Sequence, residues 1–417
     1  MHILHVVQLY HPVRTGAGRY FAEVGERLAA EGQHVTVLAS DAYDLEHLWA
    51  PGMRRVEQRE EVHNGVRIVR LPVRRLPGSP LLYPAMRRLM AELSRLPGTA
   101  PLLRRLATLT PRLDGLGRFL AAGRFDLVHA TNITLDFAVL PAFAYARRSG
   151  VPFICTPFIH LGEPENDQVR RYYTMRHQIE LLRRSDRVIV QGAQEERYLL
   201  GRGVPPERVR RIGVGVNPAE LAGGDGARFR AGQRVSGALV LYVGALARDK
   251  GAIQLVEAMR RLWARGADAT LALIGAPLAH FTRYYETLPD DVRARVRLLP
   301  YAPDQVKKDA YAAADVFAMP SRTDSFGIVY LEAWCYGVPV IGARAGGVPD
   351  VIEDGRDGLL VRFGDSPGLA EAIGRLLADP HAARRLGEAG RAKVLRELTW
   401  ERKYAQVRAV YAELIED

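Results

Sequence analysis

Between Ala318 and Asp350 the chain reads AMPSRTDSFGIVYLEAWCYGVPVIGARAGGVPD, and this stretch limits what it can fold into more tightly than any other. An apolar strand end runs into a short polar loop, where Pro320, Ser321 and Thr323 break the pattern. One to two helical turns follow, and Gly337 with Pro339 stops them, as a glycine just past a helix end does. Val338 to Ala343 reads as a buried strand, and Gly346-Gly347 opens the next loop. Asp324 lies in the first loop, while Glu332, four residues past Ile328, shares a helix face with the helix start. The N–H groups of Gly327, Ile328 and Val329 at that start favour an anion such as a diphosphate. A carboxylate one turn further on repels phosphate and suits a neutral polyol such as a ribose. The helix therefore reads as a seat for a nucleoside diphosphate; on spacing alone it also reads as an ordinary short amphipathic helix with a surface Glu.

The stretch resembles the signature of the retaining glycosyltransferases of family 4, E-x-F-G-I-x-x-x-E-A followed by G-x-P-V and a double-glycine loop. Here it stands as Asp324-Ser-Phe326-Gly327-Ile328-Val329-Tyr-Leu-Glu332-Ala333, then Gly337-Val-Pro339-Val340, then Gly346-Gly347-Val-Pro-Asp350. Asp324 and Asp350 stand where the family has Glu. The resemblance implies a GT-B fold: an α/β protein of two doubly wound Rossmann-like domains facing across a cleft, the nucleotide sugar on the C-terminal one. A last helix, Trp400 to Glu416, would cross back to the first domain. It also implies transfer of a glycosyl group from a nucleotide-diphospho-sugar with the anomeric configuration retained.

Further positions match loosely. Ala245-Leu-Ala-Arg248-Asp249-Lys250-Gly251 stands for the family's G-R-L-x-x-x-K-G, whose Arg and Lys hold the donor diphosphate. Lys250 matches and Ala245 replaces the Arg, so Arg248 is the candidate for the missing charge. His160, at the end of the strand Val151 to Pro157, matches the family's histidine near the transferred sugar, and Asp324 is expected to face the same sugar. Tyr301 lies at the loop where the base is held. Phe326 to Val329 belong to the donor seat, and Glu332 takes the ribose. Gly16 matches the second glycine of a pair near donor or acceptor, with Thr15 in place of the first. The site needs no cofactor and no metal on this reading: no Asp-x-Asp-like motif accompanies the seat, and cations with a helix start can stabilise a departing diphosphate.

The N-terminal strand, glycine loop, helix (Arg19 to Glu31) and strand form a βαβ unit, so a right-handed parallel sheet is expected. With 417 residues, 48% of them hydrophobic, the chain has material for two domains. The expected division is 1–216 (completed by 400–417), a Gly- and Ala-rich linker over 217–237, and 238–399. Two cysteines, Cys155 and Cys335, in apolar surroundings imply no disulfide framework, which fits a reducing compartment. No apolar run reaches the roughly 18 residues of a membrane span, and Ile3 to Val7 already reads as a strand rather than a signal peptide. The expected location is cytoplasmic, with peripheral docking on the inner face of the membrane as one reading.

That reading comes from charge. Residues 1–216 carry 31 Arg, no Lys and 21 acidic residues, a surplus of ten in a chain whose net charge is +11. Within 74–124, ten Arg face only Glu92 and Asp114, and Arg87-Arg88 and Arg104-Arg105 sit among leucines at helical spacing. Such a stretch suits an anionic membrane surface and a lipid-linked or glycan acceptor; an Arg-rich solvated face and a soluble acceptor have the same composition. Nucleic acid is disfavoured, because Tyr83 and Phe119 are its only stacking aromatics. A dehydrogenase is disfavoured because Thr15-Gly16-Ala17-Gly18 is not G-x-G-x-x-G. A nucleotide-sugar 2-epimerase of the same fold remains a rival that would turn over donor without acceptor.

Overall fold

A computed structural model of the chain describes residues 1–13, 15–163 and 168–415. It divides into two compact units. The first holds Met1–Ile159, Gln168–Gly213 and the C-terminal segment from Lys403; the second holds Val214–Arg402 and the short segment beginning at His160.

The first unit contains strands β1 (His2–Val6), β2 (His34–Ser40), β3 (Glu60–His63), β4 (Val66–Leu71), β5 (Val73–Arg74), β6 (Arg112–Leu113), β7 (Leu127–Thr131), β8 (Phe153–Thr156), β9 (Arg187–Val190) and β10 (Val209–Arg211). Eight of them make one sheet in the order β10-β9-β8-β7-β1-β2-β4-β3, parallel throughout except for β3 at its edge. Parallel strands are covered on both faces, which is why β1, β7 and β8 read as continuous apolar runs. The helices used below are α1 (Gly16–Ala30), α2 (Ser79–Leu93), α3 (Ala100–Ala107), α4 (Leu116–Ala122), α5 (Asp136–Ser149) and α6 (Arg176–Arg184). Helix α1 starts three residues earlier than expected, because the Thr15 hydroxyl accepts from the Gly18 N–H (2.9 Å) and caps it. Gly16, its first residue, has open space around a Cβ, whereas a Cβ on Gly18 would crowd Thr15 Oγ1 and the Leu9 carbonyl.

Two histidines sit fully buried on the strands of this sheet. His5 on β1 and His129 on β7 both reach the hydroxyl of Tyr411, at 3.1 and 2.6 Å, and His129 Nε2 also meets Thr156 Oγ1 at 2.7 Å. Tyr411 belongs to the last helix, Trp400–Ile415, which is part of the first unit from Lys403 onward; Glu416 lies outside the described residues.

The arginines within 74–124 do not form one evenly solvated face. Helix α2 runs straight through Pro84, and its Arg87 is buried rather than solvated: Nη1 donates to both Asp136 oxygens, at 3.2 and 2.9 Å. Burial pushes the Asp136 carboxyl up, but Arg87 and His177, whose Nε2 lies 2.9 Å from Oδ2, outweigh that and hold it below the usual range. Removing either partner of such a pair strands a buried charge, at a cost of about 3–5 kcal/mol. Arg104 likewise pairs with Glu180 at 2.7 Å. Arg88 and Arg105 are exposed, so only these two of the four arginines face solvent without an acidic partner among the described residues.

The second unit is a six-stranded parallel sheet of β11 (Ala238–Val243), β12 (Ala269–Ile274), β13 (Val296–Leu299), β14 (Val316–Met319), β15 (Val340–Ala343) and β16 (Gly358–Val361), ordered β13-β12-β11-β14-β15-β16. The order reverses between β11 and β14, and ligands of open α/β sheets bind outside the strand ends at such a point. Residues 217–237, expected as a linker, carry the helices Pro218–Leu221 and Gly226–Gln233. The second is held to the unit by Arg228, which grips Asp309 at 2.6 and 2.7 Å.

Candidate active site

Two loops leave the sheet of the second unit at its switch point: Gly244–Gly251 after β11 and Pro320–Gly327 after β14. Glycine holds them together. Gly251 has φ +81°, and a Cβ there would lie 2.3 Å from the Pro320 carbonyl oxygen. The Arg322 N–H donates to the Asp249 carbonyl (3.0 Å), and the Thr323 hydroxyl donates to the Asp249 carboxylate (2.8 Å). The double glycine closes the other side. A Cβ on Gly346 would approach the Asp324 carbonyl oxygen to 2.3 Å and one on Gly347 the Ser325 oxygen to 1.9 Å, while the Gly347 N–H donates to that Asp324 oxygen (2.8 Å). Gly251, Gly346 and Gly347 are thus required by close backbone approach.

Inside this frame Lys250 Nζ lies 3.0 Å from Asp324 Oδ1. Asp324 Oδ2 is buried and has no hydrogen-bond partner of good geometry among the described residues. Burial pushes the Asp324 carboxyl up; Lys250, the Ser321 hydroxyl and His160 outweigh it and hold the group below its ordinary value. His160, from the short segment of the same unit, is driven well below the ordinary imidazole value, first by burial and then by the Lys250 charge, with Asp324 and Asp249 opposing. At neutral pH the site therefore presents a neutral His160 imidazole and an ionised Asp324 carboxylate, with Lys250 Nζ against the latter. The segment is tied in where the Gly346 N–H donates to the Gly162 carbonyl (2.8 Å).

The helix Ile328–Cys335 begins behind Gly327, whose φ of +89° and crowding against the Tyr330 ring leave room for no side chain. The Tyr330 N–H of its first turn donates to the Gly327 carbonyl (3.1 Å), while the Ile328 and Val329 N–H groups ahead of it precede the helix's own hydrogen-bond ladder and suit an anion or water. Phe326 is buried beside them. Trp334 anchors the helix: it is fully buried, its indole N–H donates to the Asp357 carbonyl (2.9 Å), and Gly390 leaves it space. An indole of this size contributes about 4–6 kcal/mol of burial at 25 cal/mol per Å².

Glu332 is 3% exposed rather than on the surface. Its Oε2 accepts from the Tyr311 hydroxyl (2.9 Å), and Lys307 Nζ lies 3.5 Å from Oε1. Tyr311 is itself clamped against Tyr336, ring centroids 5.9 Å apart.

The remaining expected residues fall less centrally. Arg248 is exposed, and its backbone N–H donates to His280 Nε2 (2.6 Å), so that ring carries its proton on Nδ1 when neutral. No acidic side chain among the described residues pairs with its guanidinium. Tyr301 is 79% exposed on left-handed backbone (φ +56°) and stands outside the cluster. Gly16 belongs to the first unit. Sequence reasoning missed Tyr311, Lys307 and His280, which are long-range partners with no motif of their own. It also missed Arg322, whose guanidinium lies 5.0 Å over the Phe363 ring and 3.6 Å from Glu163. Among the described residues no group of three or more His, Cys, Asp or Glu is placed to hold a metal, and no helix is long and apolar enough to cross a membrane.

Comparison with known proteins follows the same division. Residues 227–393 match the family described as glycosyl transferases group 1, and residues 15–215 match a glycosyl transferase 4-like domain. The chain is 33% identical over 290 residues to a D-inositol 3-phosphate glycosyltransferase of Frankia alni, an alignment covering 65% of this chain and 70% of the relative. It is 33% identical over 218 residues to a GDP-mannose-dependent alpha-(1-6)-phosphatidylinositol monomannoside mannosyltransferase of Mycolicibacterium smegmatis, covering 49% of this chain and 56% of that one. Among solved structures, a sucrose-phosphate synthase from Thermosynechococcus elongatus superposes with a TM-score of 0.73 at 24% identity, over 100% of this chain and 99% of the other.

Proposed function

This chain belongs to the glycosyl transferases group 1 family and is a glycosyltransferase of GT-B fold, and from that premise we propose the following division of labour for transfer from a nucleotide-diphospho-sugar. Glu332 takes the ribose hydroxyls, with Tyr311 fixing its carboxylate. Lys250, supported by Arg248, and the N–H groups of Ile328 and Val329 take the diphosphate. Asp324 and the neutral His160 face the sugar, whose hydroxyls need hydrogen bonds rather than net charge. Tyr301 covers the base, and Gly16 leaves room for donor or acceptor. The bond from C1 to the diphosphate breaks, the acceptor oxygen takes C1 on the same face, and the acceptor's proton leaves with the departing phosphate oxygen. The departing charge meets a cation and a helix start, so no metal is needed in this scheme.

The observation that carries the reading is the convergence at the switch point: Lys250 against Asp324 at 3.0 Å across the loops that follow β11 and β14, and a buried, hydroxyl-bonded Glu332 one turn into the helix. The acceptor is a glycan or lipid-linked sugar in cell-envelope or polysaccharide synthesis. The enzyme works on the inner face of the cytoplasmic membrane, drawn there by the basic first unit. The test is turnover of UDP-, GDP- and ADP-sugars with and without lipid-linked acceptor, with the anomer of the product read by NMR. Acceptor-dependent release of nucleoside diphosphate and a product of unchanged anomeric configuration are expected. Conversion of donor without acceptor, or an inverted product, would overturn it.

A further inference from the structure

The first unit carries a second concave site that the transfer reaction does not use. Helices α3, α5 and α6 each turn an i, i+3, i+4, i+7-type face toward one groove of about 650 Å³. Its floor is apolar, made by Leu140, Pro141, Phe143 and Leu181, and it shares Pro141, Ala144 and Arg148 with a neighbouring hollow of about 570 Å³ beside α4. Five arginines and a single Glu line it. Two of the arginines are answered, Arg104 by Glu180 at 2.7 Å and Arg147 by Asp186. The other three, Arg105, Arg148 and Arg184, are exposed and have no acidic partner among the described residues; Arg184 rests 5.5 Å over the Phe143 ring.

An apolar trough under three uncommitted guanidinium groups is complementary to a molecule with an alkyl body and an anionic head. The surroundings narrow the choice of source. Helix α3 exposes Leu102, Leu109 follows its end, and α2, which packs on α3, exposes Leu81 (84%) and Leu89, so large apolar side chains face solvent on the groove's own helix α3 and on its neighbour. A free phosphorylated metabolite gives those leucines nothing to cover, whereas a bilayer takes both. We propose that this groove is a headgroup and acyl-chain site for an anionic phospholipid. Arg105, Arg148 and Arg184 hold its phosphate, and the leucines of α2 and α3 enter the interfacial layer. The proposal rests on the membrane reading above and gives it a place.

Three proteins separate the possibilities: wild type, the triple variant Arg105→Gln/Arg148→Gln/Arg184→Gln, and Ala144→Trp, which fills the trough from an exposed helix position and keeps every arginine. Each is co-sedimented with vesicles of phosphatidylcholine alone and of phosphatidylcholine mixed with phosphatidylglycerol. Wild type is expected on the mixed vesicles only. An arginine near an anionic surface is worth about fivefold in binding, so the triple variant should fall by on the order of a hundredfold. Ala144→Trp should weaken binding without any loss of charge. Nucleoside-diphosphate affinity, read by calorimetry, should stay at the wild-type value in both variants and shows that they are folded. Monomeric dihexanoyl phosphatidylglycerol should raise the melting temperature of wild type but not of Ala144→Trp. If wild type sediments and both variants sediment equally, the membrane reading stands and the groove is not its site. If wild type ignores anionic vesicles, both fall. If inorganic phosphate stabilises wild type and Ala144→Trp alike while the short lipid adds nothing, the arginines form an anion site and the lipid proposal is overturned.

Discussion

Replacing Glu332 by Gln tests the donor seat most directly, because the structure fixes what is lost. The carboxylate is buried, with Tyr311 on one oxygen and Lys307 3.5 Å from the other, and since each carboxylate oxygen accepts more than one hydrogen bond, ribose hydroxyls can share them. Hydrogen bonds to a charged group are worth about 1.5–3 kcal/mol, and an amide keeps one acceptor oxygen but loses the charge. Glu332→Gln should therefore weaken nucleoside-diphosphate binding by about tenfold to a hundredfold. Tyr311→Phe removes a neutral donor and should cost about 1 kcal/mol in the wild-type background. In the Glu332→Gln background it should cost measurably less, since the hydroxyl acts by orienting the carboxylate; a double-mutant cycle reads that coupling. Calorimetry with UDP and GDP gives the affinities, and the 2′,3′-dideoxy analogues supply the control. Without ribose hydroxyls, wild type and Glu332→Gln should bind alike. If the variant binds ribonucleotides as wild type does, or the dideoxy penalty persists undiminished in it, Glu332 does not touch the ribose.

Two further predictions address charge. Lys250→Ala should lower kcat/KM by about a hundredfold, since it removes a phosphate cation and strands Asp324; Ala245→Arg should tighten nucleoside-diphosphate binding, and if it does nothing while Arg248→Ala is severe, Arg248 is the substitute. In the first unit, burial lowers the His5 imidazole to about 3 and carries His129 well below 6.5. Both are neutral in the folded state and take up protons only when the chain unfolds, so their stability contribution is intact above about pH 6.5 and is lost as pH falls from there toward 3, at about 1.4 kcal/mol per pH unit for each. Urea titrations at pH 7 and 5, followed by hydrogen exchange of the β1 amides, should show this slope in wild type and a shallower one in His5→Asn; equal slopes would mean that the pair does not set acid sensitivity.

How much of this was legible in the sequence depended on whether a constraint was local. The doubly wound sheets could be read because parallel strands are apolar on both faces and glycines punctuate them, and the family signature lay in one unbroken stretch. Lys250 and Asp324 could be proposed separately, but their meeting at 3.0 Å follows from the strand order β11-β14, which brings together loops 74 residues apart. Burial of Glu332 was not legible: the eight-residue helix is apolar on most sides, and the partner that makes a buried carboxylate tolerable, Tyr311, comes from another element. The basic segment fails for the same reason. Arg87 and Arg88 are adjacent and identical, yet one faces Asp136, 49 positions away, and the other faces solvent. A count of arginines cannot separate them, since a single step along a helix turns a side chain by about 100°. The charge available to a partner is therefore smaller than the composition of 74–124 suggests. It also includes Arg148 and Arg184, which lie outside that segment and join Arg105 only because α3, α5 and α6 pack together.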